Sequence, residues 1–150
     1  MYKKKVFSKL EKKYNAYQDA GTVGFLMQRC HRQLENNIAL ITFNKKNNIL
    51  EIGAGSSPHI NYVNHYFGHY TFLENSKYAI NYLKKKFKKD KRISYKIYQG
   101  KKIPFKSNYF DRIIISHVLE HIPNPELFLN DMMRKLKNIY CKKKNKNYKY

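Results

Sequence analysis

The segment ILEIGAG, residues 49–55, constrains the fold more than any other part of the sequence. An apolar run containing one acid leads directly into two glycines, which is typical of a buried strand that ends in a tight turn. Glycine is needed where backbone N–H groups approach a ligand, because a Cβ would block the approach or forbid the backbone angles. The segment therefore predicts a strand followed by a ligand-binding turn.

Three further apolar segments alternate with helical patterns after this turn. HYTFLEN, RISYKIYQ and FDRIIISHVLEHI are predicted strands, whereas SKYAINYLKKKFKK and PELFLNDMMRKLK are predicted amphipathic helices. Strands that alternate with helices form a parallel sheet with right-handed crossovers. The sequence thus predicts an α/β fold with a Rossmann-like doubly wound parallel sheet, which binds its ligand at the C-terminal ends of the strands.

The rest of the chain divides around this pattern. Residues 1–20 have helical spacing, GTVG at residues 21–24 is predicted to break the helix, and FLMQRCHRQLENN is predicted to start a second one. We expect an N-terminal helical segment (residues 1–47), a partial Rossmann-like domain (48–138) and a basic, disordered tail (139–150).

The strongly basic composition does not by itself define a nucleic-acid-binding protein. The formal net charge is +21, but nearly all of the positive charge is lysine, whereas arginine is the usual residue for bidentate phosphate and base recognition. Lysine is enriched together with asparagine, isoleucine, tyrosine and phenylalanine, which is typical of an AT-rich genome. The tail KNIYCKKKNKNYKY would suit loose stacking and phosphate contact, and nucleic-acid binding remains the less favoured alternative.

The sequence lacks two features that would indicate a membrane or secreted protein. No apolar run approaches the ~20 residues that span a bilayer, and the N-terminus lacks the apolar stretch of a signal peptide. Cys30 and Cys141 show no CxxC spacing, so neither a disulfide framework nor a thiolate zinc site is expected. We expect a cytoplasmic protein without a membrane span.

An acid at the end of the second predicted strand narrows the choice of ligand. Glu74 lies about 20 residues after the glycine turn, where a carboxylate can accept hydrogen bonds from ribose hydroxyls. The dinucleotide pattern GxGxxG is incomplete, because Pro58 occupies the position of the third glycine. This combination indicates an adenosine-containing ligand that lacks a pyrophosphate.

ILEIGAG, FLENS and IPFKSNYFDRIIISHVLEHIPNPELFLNDMMRKLK resemble, in this order, the successive motifs of class I S-adenosylmethionine-dependent methyltransferases. The resemblance covers residues 48–137 and is greatest to the branch that methylates small molecules. It implies S-adenosylmethionine as the cofactor and a small-molecule, lipid or sugar acceptor. It also implies that Phe105 and Asp111 have structural roles, the first under a loop and the second at the entry to a strand.

The resemblance further implies which residues contact the cofactor. Gly53 and Gly55 would pack against its methionine part, Glu74 would hold the ribose, and Gln99, in place of a family acid, would meet the adenine. Ser57 replaces the third glycine of the family's first motif. The expected cofactor set is Glu51, Gly53, Ala54, Gly55, Glu74, Gln99, Gly100 and Ser116.

HVLEH (residues 117–121) lies at the end of the fourth predicted strand, where the methyl group would be offered. His117 or His121 is the candidate catalytic base, since histidine titrates near neutral pH. Alternatively, Glu120 and His121 cap the next helix, or the segment holds a divalent metal as in quinone-type O-methyltransferases, although His117 replaces one of the acids. We expect contact with the acceptor and no essential metal.

Residues of the N-terminal segment are candidates for a lid over the pocket. They are His31, Arg32 and Glu35, together with Tyr17 as a weaker candidate.

The C-terminal end affects the expected activity. The resembled family continues with a proline-glycine turn and three more strands, whereas NIYCKKKNKNYKY has no strand pattern. We expect an incomplete sheet of four strands in the order 3-2-1-4, whose apolar fourth strand lies at an edge open to pairing with another chain. The expectation is therefore a truncated methyltransferase, with a non-catalytic S-adenosylmethionine-binding remnant or half of a split enzyme as the alternatives.

Overall fold

The computed structural model describes residues 21–38, 45–55, 59–98 and 102–137. The predicted helix within residues 1–20, Tyr17, the Gln99–Gly100 pair and the tail at 139–150 lie outside the described residues. In chain order the elements are α1 (Gly21–Ile38), β1 (Asn48–Ile52), a 3-10 turn (His59–Asn61), β2 (His69–Glu74), α2 (Lys77–Lys86), β3 (Ile93–Ile97), β4 (Arg112–Ile115), a second 3-10 turn (Leu119–His121) and α3 (Pro125–Lys135).

The four strands form one parallel sheet in the order β3-β2-β1-β4, which confirms the predicted topology. Ile49 of β1 lies opposite Tyr70 of β2 and Arg112 of β4. The chain leaves β1 towards β2 on one side, and β4 returns on the other. The C-terminal ends of β1 and β4 therefore flank the switch point at which doubly wound sheets bind ligands.

Alternating side chains of the central strands pack into two hydrophobic cores, one on each face of the sheet. The first contains Ile49, Tyr70, Phe72, Ile93 and Ile114 with Leu83 of α2. The second contains Leu50, Ile52, Leu73 and Phe110 with Phe128 of α3. Each such side chain contributes about 1.5–3 kcal/mol when it is fully buried, and the two cores together hold the C-terminal ends of the strands in place.

Two predicted boundaries are wrong. GTVG forms the first four described residues of α1, so this helix includes residues 21–24 rather than starting at Phe25; glycine costs only about 1 kcal/mol relative to alanine within a helix. The fourth strand ends at Ile115 and does not continue through HVLEHI. His117 has a left-handed φ of 54°, which an extended strand cannot accommodate, and the chain then forms the second 3-10 turn.

The outer side of β4 is reached by the end of α3. The residue after the helix, Leu136, forms a parallel bridge with Phe110, and the Lys137 N–H donates to the Phe110 carbonyl at 2.8 Å. Asp111 accepts from the Asn48 N–H at 2.7 Å and from Lys137 Nζ at 2.8 Å. These bonds confirm the structural role predicted for Asp111 at the entry to β4.

Phe105 also has its predicted structural role. Its ring stacks on Tyr109 at a centroid distance of 6.2 Å and meets Phe110 edge-on at 4.9 Å. The three rings fix the loop that leads into β4.

Candidate functional site

The glycine turn, residues 53–55, has the backbone geometry that its sequence predicts. Gly53 and Gly55 have φ values of 71° and 55°, which are strained for residues with a side chain. The Gly53 N–H donates to the carbonyl of Leu73 at 2.9 Å. A Cβ on Gly53 would lie 2.2 Å from Cγ2 of Val118. The turn therefore needs glycine both for its backbone angles and because HVLEH packs directly against it.

Glu74 lies at the end of β2, as predicted, and its carboxylate faces the glycine turn. Oε2 accepts from the Gly55 N–H at 3.1 Å, and Oε1 accepts from the N–H groups of Asn75 and Ser76 at 2.8 and 3.0 Å. An ionised carboxylate offers about four acceptor positions. Glu74 thus joins the end of β2 to the turn and retains acceptor capacity for a ribose hydroxyl.

Glu51, beneath the turn, and Ala54, the middle residue of the turn, are both buried in the interior of the fold. Glu51 Oε1 accepts from the His59 N–H at 2.7 Å, and Oε2 accepts from the Tyr70 hydroxyl at 2.5 Å. Burial raises the pKa of Glu51, although the hydrogen bonds from Tyr70 and His59 oppose the rise. Ala54 packs into the first core. In this structure Glu51 supports the turn from below, and Ala54 holds it in this core.

HVLEH lies at the end of β4, beside the glycine turn. Ser116 directly follows the strand and is half-buried, whereas His117 and His121 are exposed. His117 Nδ1 lies 3.7 Å from Glu120 Oε1, and each of the two side chains is 51% exposed. Because both side chains are half exposed, they are accessible to an acceptor.

The structure contradicts one alternative for HVLEH. The N-cap residue of α3 is Asn124, so the prediction that Glu120 and His121 cap this helix is wrong. The chain first passes through the 3-10 turn and Pro123, which moves the start of the helix away from HVLEH. Within the described ranges, no three His, Cys, Asp or Glu side chains form a group that could hold a metal ion.

A buried polar cluster, which the sequence did not reveal, connects α1 to the sheet. This Glu35 cluster consists of Glu35, His59, Arg112 and His31. Glu35 and His59 are each 1% exposed and Arg112 is 8% exposed. Arg112 donates to both oxygens of Glu35, at 2.5 and 3.2 Å, and His59 Nε2 lies 2.5 Å from Glu35 Oε1.

The charges of this cluster are mutually compensated. Burial alone raises the pKa of Glu35, but the hydrogen bonds from His59 and Arg112 outweigh it and lower the pKa to about 2. Glu35 is therefore ionised at neutral pH and pairs with Arg112. Burial, together with the charges of His59 and His117, lowers the pKa of His31 to about 4.

The predicted lid is only partly consistent with this arrangement. Glu35 is buried against Arg112 of β4 and against His59, where it joins α1 to the sheet, and its assignment to a lid stays a prediction. Arg32 is exposed. His31 lies 2.6 Å from His59 Nδ1 through its own Nδ1, and its ring stacks on Tyr62. The sequence did contain one signal of this cluster: Arg112 begins an apolar strand, and an arginine in that position needs a buried acid as its partner.

The match to a known family agrees with this geometry. Residues 50–138 match a family model described as a methyltransferase domain, and the chain belongs to this family. Together with this family match, the fold and the glycine turn define a class I S-adenosylmethionine-dependent methyltransferase domain. The positive-φ glycines and the one acceptor position that Glu74 retains fit S-adenosylmethionine.

Solved structures show the same fold. The trans-methyltransferase CalH in complex with S-adenosylhomocysteine is 23% identical, with a TM-score of 0.61 over 85% of this chain and 37% of that chain. The phosphoethanolamine N-methyltransferase 1 of Haemonchus contortus, in complex with phosphoethanolamine and S-adenosylhomocysteine, is 16% identical, with a TM-score of 0.65 over 89% and 30%.

A third solved structure is a complex between the Haloferax volcanii Trm112 methyltransferase activator and a methyltransferase. It is 14% identical, with a TM-score of 0.66 over 84% of this chain and 54% of that chain. This chain therefore spans between 30% and 54% of the length of these solved chains. No curated protein sequence matches it.

Proposed function

We propose that the protein transfers the methyl group of S-adenosylmethionine to a small-molecule, lipid or sugar acceptor that binds beside HVLEH. The observation that carries this proposal is the contact between Gly53 and Val118, because it brings the cofactor turn and HVLEH together at one end of the sheet. An acceptor held at HVLEH would therefore lie next to the cofactor.

The chain's own residues would mainly orient the reactants. When bound, the cofactor supplies a methyl group already activated by its sulfonium, so alignment of the acceptor is the main requirement. Glu74 would hold the ribose, while Gly53 and Gly55 would leave room for the methionine part. His117 is the proposed base: its Nδ1 faces Glu120, which leaves Nε2 to take the proton of the acceptor.

Binding of S-adenosylhomocysteine, measured by calorimetry with NAD as the control ligand, tests the cofactor site. Glu74→Ala should weaken binding by about 1–3 kcal/mol, the usual cost of losing a hydrogen bond to a charged group. Glu126→Gln is the matched control, because it removes an acid from the exposed first turn of α3. Tighter binding of NAD than of S-adenosylhomocysteine would contradict the proposal.

A second candidate is a cofactor-binding subunit that completes its acceptor site with another chain. In the described part of the protein, β4 is the outer strand of the sheet on the acceptor side, and one structure with this fold is a complex of a methyltransferase with an activator. Sedimentation over a range of concentrations, combined with a methylation assay, tests this candidate. A monomer that methylates an acceptor at ordinary enzymatic rates would exclude it.

The expectations about membrane spans, cellular location, domain boundaries and adenine contacts are taken together here. No helix in the described ranges is long and apolar enough to cross a membrane. A cytoplasmic location, the domain boundaries at residues 47 and 138, and the contacts of Gln99 and Gly100 with the adenine stay predictions from the sequence.

A further inference from the structure

The segment that carries the glycine turn is held by three carboxylates, and only two of them come from the sheet. Glu74 of β2 accepts the Gly55 N–H at 3.1 Å. Glu51 of β1 accepts the N–H of His59, the first described residue after the turn, at 2.7 Å. The third is Glu35 of α1, whose Oε1 lies 2.5 Å from His59 Nε2. A helix outside the sheet thus contacts His59, the first described residue after the cofactor turn.

The surroundings of His59 make this third contact specific. Both of its ring nitrogens are used, since Nδ1 lies 2.6 Å from His31 Nδ1 while Nε2 faces Glu35. The side chain is almost completely buried, so the ring cannot turn to water if it loses a partner. Arg112 supplies the positive charge that keeps Glu35 ionised. The position of His59 is therefore set by α1 as well as by β1.

We propose that Glu35 is a positioning residue of the S-adenosylmethionine site, which acts through His59 to fix the far side of the glycine turn. Glu35 does not touch the cofactor in this arrangement. It holds His59, and with Glu74 on the near side this sets the direction of the N–H groups of the turn. The proposal depends on the turn being the cofactor site.

Two substitutions separate this role from the ion pair with Arg112. Glu35→Ala removes both the ion pair and the contact with His59. His59→Phe keeps a ring of similar size and leaves the pair between Glu35 and Arg112 in place, but removes both ring nitrogens. Each variant should bind S-adenosylhomocysteine about tenfold more weakly, as expected for the loss of one buried charged hydrogen bond. The double variant should be no weaker than the singles, because both act through one contact.

Thermal melting and circular dichroism on the same samples distinguish positioning from stability alone. Glu35→Gln keeps the size of the side chain and an acceptor oxygen for His59, so it should recover part of the affinity that Glu35→Ala loses. Glu126→Gln is again the charge control. Variants that melt at lower temperature but bind S-adenosylhomocysteine like the wild type would show that the cluster only stabilises the fold, and would overturn the proposal.

A second measurement does not need the cofactor. In the free protein, amide hydrogen exchange at Gly53 and Gly55 should be about tenfold faster in His59→Phe than in the wild type, relative to amides of β3. Unchanged exchange in the turn would overturn the positioning role. Failure of the wild-type protein to bind S-adenosylhomocysteine would instead refute the assignment of the cofactor site and leave the exchange result interpretable. If Glu35→Ala does not fold, His59→Phe and Glu35→Gln carry the same test.

Discussion

Gly53→Ala should lower the free energy of unfolding through two effects that can be measured separately. The backbone at residue 53 has a φ of 71°, and a left-handed conformation costs a residue with a Cβ roughly 1–2 kcal/mol. The new Cβ would also lie 2.2 Å from Val118 Cγ2, whereas carbon atoms in favourable contact are about 3.5–4.0 Å apart. Overpacking of this kind typically costs about 1–3 kcal/mol. The free energy of unfolding should therefore fall by about 2–5 kcal/mol.

The double variant Gly53→Ala/Val118→Ala tests the second contribution. Removing Cγ2 of Val118 eliminates the clash but not the backbone strain, so the double variant should be more stable than Gly53→Ala and still less stable than the wild type. Urea denaturation gives the stabilities, and titration with S-adenosylhomocysteine gives the affinities. A double variant as unstable as Gly53→Ala would refute the inference that Val118 packs on the turn.

Gly68→Ala is the matched control for these variants. Gly68 lies in the loop that precedes β2, and a Cβ on it would lie 2.3 Å from the backbone carbonyl oxygen of Lys45. This substitution should also destabilise the fold, but the affinity of the folded protein for S-adenosylhomocysteine should not change. Equal loss of affinity in Gly53→Ala and Gly68→Ala would mean that the glycine turn is no more important for cofactor binding than the loop before β2.

Three further outcomes are expected. The free energy of unfolding should have its full value above about pH 6.5 and should fall between about pH 6.5 and 4, because His31 is protonated more readily in the unfolded chain. It should fall again between about pH 4.5 and 2, because Glu35 is also protonated more readily in the unfolded chain. A urea midpoint that stays constant across this range would contradict both pKa shifts. Tyr70→Phe leaves Oε2 of the buried Glu51 without its donor, so it should cost about 1–3 kcal/mol in urea denaturation. His117→Ala should lower turnover in a methylation assay while calorimetry shows unchanged cofactor affinity, and unchanged turnover would exclude His117 as the base.

Much of the cofactor side of the site could be predicted from the sequence because its signals are local. The strand, the two glycines and the acid that ends the next strand are each encoded within a few residues, and a parallel sheet places them together. The structure brings the turn and this acid together through the bond from the Gly55 N–H to Glu74. Local patterns were sufficient here because every element involved is short and adjacent in the sheet.

The Glu35 cluster could not be predicted in the same way. Glu35 and Arg112 are 77 positions apart in sequence, and neither stands in a pattern that names the other. Their pairing depends on how α1 lies across the sheet, which periodicity does not determine. The left-handed backbone at His117 was missed for a different reason: FDRIIISHVLEHI was predicted as one strand, whereas the chain turns at His117 and Val118 packs beside Gly53.

The bridge between Phe110 and Leu136 occupies one end of the outer edge of the sheet. The peptide groups that follow α3 already align with the entry to β4 and run parallel to it, with the Lys137 N–H bonded to Phe110. A strand from another chain, whatever its direction, would have to displace that bond in order to pair with Phe110. Among the described residues, the outer edge that remains for an added strand is therefore β4 itself, residues 112–115.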